Sequence, residues 1–107
     1  MPFQQIEELE SRELVPGFRG RMIHTEQFTY SFWEIEEGAV LPEHAHPHEQ
    51  ITTVLEGCLE MTVGGETRVV EPGLVAVIPG DVAHSGRALT ACRVVDVFCP
   101  VREDYKW

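Results

Sequence analysis

Turn-forming residues divide this chain into short segments at nearly regular intervals. Dipeptides that favour tight turns occur at Pro16-Gly17, Glu37-Gly38, Glu56-Gly57, Gly64-Gly65, Pro72-Gly73 and Pro79-Gly80. Between them lie runs of strand length, rich in β-branched and aromatic residues: QFTYSFWEIE, ITTVLE, LEMTV, TRVVE, LVAVI and CRVVDVF. This spacing predicts an all-β fold, either a sandwich or a barrel. The adjacent glycines of VGGE also predict a two-residue hairpin turn, whereas IEELESRE is too short and weakly patterned to predict a helix.

Length and charge limit what such a fold can do. With 107 residues, of which 43% are hydrophobic, the chain fits a single domain over residues 1–107 with a modest core. No run approaches the roughly 18 apolar residues of a membrane span, and the acidic start does not resemble a signal peptide, so we expect a cytoplasmic protein without membrane contacts. The net charge of −10 would repel a phosphate backbone and argues against nucleic-acid binding.

The cysteines do not indicate a disulfide framework or a cysteine metal site. Cys58, Cys92 and Cys99 form neither an even set nor a metal-type pair. We interpret all three as small, buried apolar residues.

Three of the five histidines fall within the segment HAHPHEQ. His44 and His46 alternate by two, so on an extended backbone their side chains leave the same face, and Gln50 follows at another even step. His84, in IPGDVAH, supplies a third imidazole from a distant part of the chain. Three imidazoles and an amide oxygen form a plausible donor set for a divalent transition metal. Taken singly, each histidine could equally be a solvated loop residue.

The last predicted strand and the tail add further candidates. Within CRVVDVF, Val94, Asp96 and Phe98 share one face. A buried carboxylate is costly unless it is paired or functional, so an inward Asp96 would be a functional candidate, and the alternative is an outward, solvated side chain. Arg102 could fold over the barrel mouth and bind a carboxylate, or it could lie on the surface. Trp33 is interpreted as a core or dimer-packing residue rather than a platform for a sugar. His24 is interpreted as a satisfied or exposed strand residue.

The spacing around these residues resembles the two sequence motifs of the cupin family. Gly38, His44, His46, Gln50 and Gly57 match the first motif, with Gln50 where most members carry glutamate. Gly73, Pro79 and His84 match the second, although Asp81 replaces a glycine and Ala88 stands where asparagine is common.

The resemblance to cupins has implications for fold, metal and assembly. It implies a cupin-type double-stranded β-helix, a jelly-roll barrel of antiparallel strands, with one divalent transition metal (nickel, zinc, manganese, iron, cobalt or copper) in its mouth. His44, His46, Gln50 and His84 would be the ligands, and Glu49 remains an alternative to Gln50. Since dimers are common among cupins, we also expect a homodimer.

Three segments, HAHPHEQITTVLEG, VVDVF and VRED, resemble more narrowly the KdgF-like cupins of pectin and alginate degradation. This resemblance implies an isomerase-type enzyme that converts 4,5-unsaturated uronate monosaccharides, the products of polysaccharide lyases, to their linear ketone form. By position, Asp96, Phe98 and Arg102 would surround the small anionic sugar. Asp96 would be the general base and acid, and Arg102 would hold the carboxylate. A neutral Gln50 would leave the metal a strong Lewis acid.

Two other functions stay open. Cupins with similar ligands include metal-dependent dioxygenases, although an aromatic substrate would favour a more apolar mouth than one containing Asp96 and Arg102. The chain could also be a sugar-binding cupin without catalytic activity.

Overall fold

The computed structural model describes residues 2–107. In this range the chain forms ten β-strands and two single turns of 3-10 helix, at Ile6–Glu8 and Glu103–Tyr105. The strands are β1 (Ser11–Val15), β2 (Phe18–His24), β3 (Thr29–Ile35), β4 (Val40–His44), β5 (Glu49–Glu56), β6 (Leu59–Val63), β7 (Glu66–Val70), β8 (Val75–Ile78), β9 (His84–Ala88) and β10 (Cys92–Cys99).

The strands pair into two antiparallel sheets. One sheet has six strands in the order β1-β2-β3-β10-β5-β8, and the other has four in the order β4-β9-β6-β7. The chain crosses repeatedly between the sheets, as expected for a jelly roll, and the predicted all-β cupin-type fold is confirmed. No helix within residues 2–107 has the length and apolar character needed to cross a membrane.

Strands with alternating or strongly apolar sequences lie where the sequence predicts them. All six predicted runs overlap strands, namely β3, β5, β6, β7, β8 and β10. The hairpin prediction is also confirmed, since Val63 pairs with Glu66 and both intervening glycines have positive φ. The segment IEELESRE forms one 3-10 turn and then enters β1.

A core of large apolar side chains holds the two sheets together. Buried members include Phe18, Trp33, Val54, Met61 and Ile78. Each such side chain contributes about 1.5–3 kcal/mol relative to an exposed one. Trp33 is 5% exposed and belongs to this core, and its side chain also lines a cavity between the sheets.

The three free cysteines lie in different environments. Cys92 is buried, Cys58 is half-buried and Cys99 is exposed. The prediction of three buried cysteines is therefore wrong for Cys99. Side chains alternate along β10, so the buried Phe98 places Cys99 on the outward face.

Candidate functional site

A cavity of about 340 Å³ opens between the two sheets. This volume lies within the range of about 300–1,000 Å³ that is usual for small-molecule sites. The cavity is lined by all seven residues that the sequence analysis assigned to the site: His44, His46, Gln50, His84, Asp96, Phe98 and Arg102.

Strand pairing brings these residues together from both sheets. In the four-stranded sheet, His44 at the end of β4 lies opposite His84 at the start of β9, and their ring centroids are 4.2 Å apart. In the six-stranded sheet, β5 and β10 pair so that Gln50 lies opposite Phe98. The alternation along β10 directs Asp96 inward together with Phe98, which selects the inward of the two orientations that the sequence left open.

His46 comes from the loop after β4 rather than from a strand. The loop is fixed by a hydrogen bond of 2.8 Å from the Asp81 amide to the His46 carbonyl. Asp81 has a φ of 66°, in the left-handed region that glycine adopts most easily. This conformation explains why the cupin motif commonly has glycine at this position.

The three histidines present the same ring nitrogen to the cavity. Each Nδ1 lies within hydrogen-bond distance of a backbone carbonyl: Pro42 for His44 (2.8 Å), His48 for His46 (3.0 Å) and Val82 for His84 (2.8 Å). A carbonyl only accepts, so these contacts assign the proton to Nδ1 and leave the Nε2 lone pair free. Metal-ligating histidines in proteins are usually fixed in this way.

The donor set fits a divalent transition metal. The available ligand atoms of the three histidines lie within 4.8 Å of one another. His84 Nε2 is buried with no hydrogen-bond partner among residues 2–107, an arrangement that is costly unless the lone pair binds something. His46 Nε2 and Gln50 Oε1 are 3.0 Å apart. With Nδ1 protonated, neither atom carries a proton, so they cannot form a hydrogen bond with each other. Their closeness is favourable when both bind one metal cation through their lone pairs.

Burial favours the neutral form of two of these imidazoles. It lowers the pKa of His46, helped by the positive charge of Arg102 and by His84. It likewise lowers the pKa of His84, with smaller contributions from His44 and Arg102. A neutral imidazole is the form that binds a metal ion.

Asp96 is a buried carboxylate at the same cavity, with only 9% of its surface exposed. Burial raises its pKa to about 6, against the opposing effects of hydrogen bonds, chiefly from Thr52, and of the Arg102 charge. Thr52 donates to Asp96 Oδ1 at 2.6 Å. A carboxyl group whose pKa lies near neutrality can both take and return a proton.

Arg102 enters the cavity from the tail, but its guanidinium already binds a carboxylate of the chain. Nε and Nη2 donate to the two oxygens of Asp104 at 3.0 and 2.8 Å. The guanidinium also stacks on Tyr105 and Phe98, at 4.0 and 4.8 Å from the ring centroids. Burial is the largest single influence and lowers the pKa of Arg102, but the hydrogen bonds and charge of Asp104, together with Tyr105 and Asp96, raise it overall.

Several other residues clarify the site. Glu49 is exposed while Gln50 is buried, so the structure places the amide rather than the carboxylate at the cavity. His24 bonds to Thr29 and to the Tyr105 carbonyl, in agreement with its structural interpretation.

Sequence reasoning missed Thr52, Asp104 and Tyr105, which line the cavity. The signal for Thr52 was its even step from Gln50 on an inward-facing strand.

Comparisons with known proteins agree with this geometry. The family model described as "Cupin domain" matches residues 31–98. The structure of KdgF from Halomonas sp. is 32% identical over 92% of each chain, with a TM-score of 0.85. An RmlC-like cupin from Shewanella frigidimarina NCIMB 400 is 28% identical over 96% of this chain and 94% of its own, with a TM-score of 0.90. These matches confirm the resemblance to cupins, and to KdgF in particular.

More distant matches show the fold alone. A variant of oxalate decarboxylase from Bacillus subtilis is 19% identical over 89% of this chain and 28% of its own, with a TM-score of 0.77. None of the curated protein sequences matches the chain significantly.

Proposed function

The chain belongs to the cupin family, and from this premise we propose that it converts 4,5-unsaturated uronate monosaccharides to their linear ketone form. The observation that carries the proposal is the convergence, in one cavity, of three histidine donors, an amide oxygen, a buried carboxylate and a buried arginine. The sequence resemblance to KdgF-like cupins implies this reaction. The similarity to the structure of KdgF from Halomonas sp. supports the proposal. A cytoplasmic location and a homodimer stay predictions.

The metal would be held by His44, His46, His84 and Gln50. A divalent cation bound there would act as a Lewis acid toward an oxygen of the sugar and stabilise negative charge on it. The protein fixes the Nδ1 proton of each imidazole and so directs every Nε2 lone pair to the cavity.

Asp96 would transfer the protons. Its carboxylate removes the proton from the anomeric hydroxyl, the bond between C1 and the ring oxygen breaks, and the electron pair passes to that oxygen as an enolate over C4 and C5. Asp96 then returns a proton to C4, which leaves an aldehyde at C1 and a ketone at C5. The sequence is an isomerisation and consumes no other reactant. The carboxyl group suits both steps because burial brings its pKa to about 6.

Arg102 and Phe98 would position the sugar. Arg102 is a buried cation at the cavity wall and would bind the C6 carboxylate, either in exchange for Asp104 or alongside it. Phe98 is 2% exposed and packs against both the Arg102 guanidinium and the His46 ring. It would therefore hold these two groups in place at the wall of the site.

The proposal is tested with freshly generated unsaturated monouronates from pectin and from alginate. The protein should accelerate the loss of the conjugated chromophore above the spontaneous rate in the same buffer. It should also contain about one equivalent of a divalent transition metal per chain. A chelator should abolish the excess rate, and the same metal should restore it.

The control is the His84→Ala variant, which should react no faster than buffer. If the metal-loaded wild-type protein does not exceed the spontaneous rate with either substrate, the proposed reaction is wrong. Oxygen consumption with these sugars would instead indicate a dioxygenase, and binding without turnover would indicate a sugar-binding cupin.

A further inference from the structure

Thr52 connects Gln50, a proposed metal ligand, to Asp96, the proposed general base and acid. It is 1% exposed and lies opposite Asp96 in the pairing of β5 with β10. Its Oγ1 is 3.0 Å from Gln50 Nε2 and 2.6 Å from Asp96 Oδ1. One hydroxyl therefore touches both groups.

The number of protons available fixes the direction of these hydrogen bonds. A threonine hydroxyl has one proton to donate and two lone pairs. An ionised Asp96 only accepts, so the Thr52 proton points to Asp96 and a Thr52 lone pair faces residue 50. The group of residue 50 that faces Thr52 must then be a donor. Gln50 meets this condition by turning Nε2 toward Thr52, which leaves Oε1 facing His46.

A glutamate at position 50 would not fit this arrangement. A glutamate carboxylate can only accept hydrogen bonds. The single hydroxyl proton of Thr52 would then be needed by two carboxylates, that of residue 50 and that of Asp96. A buried acceptor without a donor costs about 1–3 kcal/mol, and more when it is charged. The contact thus favours an amide over a carboxylate at position 50 in this chain.

We infer that Thr52 is a positioning residue: it orients the Gln50 amide oxygen toward the metal and holds the Asp96 carboxylate in the cavity. This inference rests on the proposed function, because it takes Gln50 as a metal ligand. Thr52 touches neither metal nor sugar and acts through these two neighbours.

The test compares metal binding in four variants. Thr52→Val removes the hydroxyl at nearly constant shape, Thr52→Ala removes it with space to spare, and Thr52→Ser retains it. Thr53→Val is the matched control, because Thr53 is half-buried on the opposite face of the same strand. Zn²⁺ affinity is measured by titration calorimetry, and the visible spectrum of bound Co²⁺ reports on the ligand set.

Thr52→Val and Thr52→Ala should weaken Zn²⁺ binding by about 10- to 100-fold, the usual effect of losing a group that orients a metal ligand. Both should also change the Co²⁺ spectrum. Thr52→Ser should restore the affinity and the spectrum, and Thr53→Val should match wild type.

The possible failures are distinguishable. If wild type binds neither ion, the metal site itself is wrong. If wild type binds Zn²⁺ and either hydroxyl-free variant binds it equally well with an unchanged Co²⁺ spectrum, the metal site stands and the role of Thr52 is overturned. Failure of Thr52→Ser to restore binding would also overturn it, since the hydroxyl would then not be the active feature.

Discussion

Replacing Asp96 with asparagine should make the metal-free protein more stable and the proposed reaction much slower. Burial raises the pKa of Asp96 from 3.8 to about 6. At 1.36 kcal/mol per unit, this shift corresponds to a cost of about 3 kcal/mol for keeping the ionised carboxylate in the folded protein. Asparagine avoids that cost but weakens the Thr52 hydrogen bond by about 1 kcal/mol. The net gain should be about 1–2 kcal/mol at pH 8.

The pH dependence follows from the direction of the shift. Because the pKa is higher in the folded than in the unfolded protein, the cost is absent below about pH 3.8, grows between pH 3.8 and 6, and is complete above pH 6. The advantage of Asp96→Asn over wild type should therefore be largest at pH 7–8 and shrink as the pH falls from 6 toward 4. In the metal-loaded protein, loss of the proposed proton-transferring group should reduce kcat for the proposed reaction by about 10²- to 10⁴-fold.

Urea unfolding of the chelator-treated protein, followed by tryptophan fluorescence at several pH values, measures this difference. Asp104→Asn serves as the control of opposite sign. Hydrogen bonds from Arg102 lower the pKa of Asp104, so losing that carboxylate should reduce stability at neutral pH. If Asp96→Asn is less stable than wild type at pH 8, or if its stability difference does not vary with pH, burial does not control the Asp96 carboxylate.

Three further changes test other parts of the structure. Gln50→Glu should retain metal in elemental analysis but lower kcat, because a carboxylate makes the metal a weaker Lewis acid and places a hydrogen-bond acceptor opposite Thr52. Unchanged turnover would show that Gln50 has no role in the reaction. Arg102→Ala should mainly raise KM for the uronate, and a normal KM would remove Arg102 from the substrate site. Gly57→Ala should lower the urea midpoint strongly, because Gly57 has a φ of 91° and an added Cβ would collide with the Ala91 carbonyl; an unchanged midpoint would contradict this backbone geometry.

The sequence predicted the strands whose own composition favours β-structure and missed those formed by tertiary pairing. VLPEH and HSGRA, which become β4 and β9, contain proline, glycine and charged residues. β4 is an edge strand whose pairing is irregular between Leu41 and His44, and Pro42, which has no N–H to donate, lies at that irregularity. β9 pairs with β4 and β6, so its backbone is satisfied on both sides whatever its intrinsic propensity.

The site was predictable to the extent that it depends on local spacing. Even steps along the chain and the inward face of β10 indicated His44, Gln50 and Asp96 correctly as cavity residues. The contact of Thr52 with Asp96 depends on the register of β5 against β10. These two strands are separated in the sequence by residues 57–91. Single-sequence patterns carry no information on such a register, so this contact could be found only in the structure.

The cavity contains both a proposed base, Asp96, and a cation, Arg102, and Arg102 is also in contact with Asp104. A positive charge near a carboxylate favours its ionised form, so Arg102 acts to lower the pKa of Asp96. The Arg102 charge ranks below burial and the hydrogen bonds among the influences on the Asp96 pKa, and Arg102 is itself paired with Asp104 at 2.8 Å. The Asp104 side chain is 60% exposed, so it regains water at little cost when released. In the proposed reaction, the sugar carboxylate would bind Arg102 in exchange for Asp104 or alongside it, so Arg102 would stay paired with an anion while Asp96 transfers the proton.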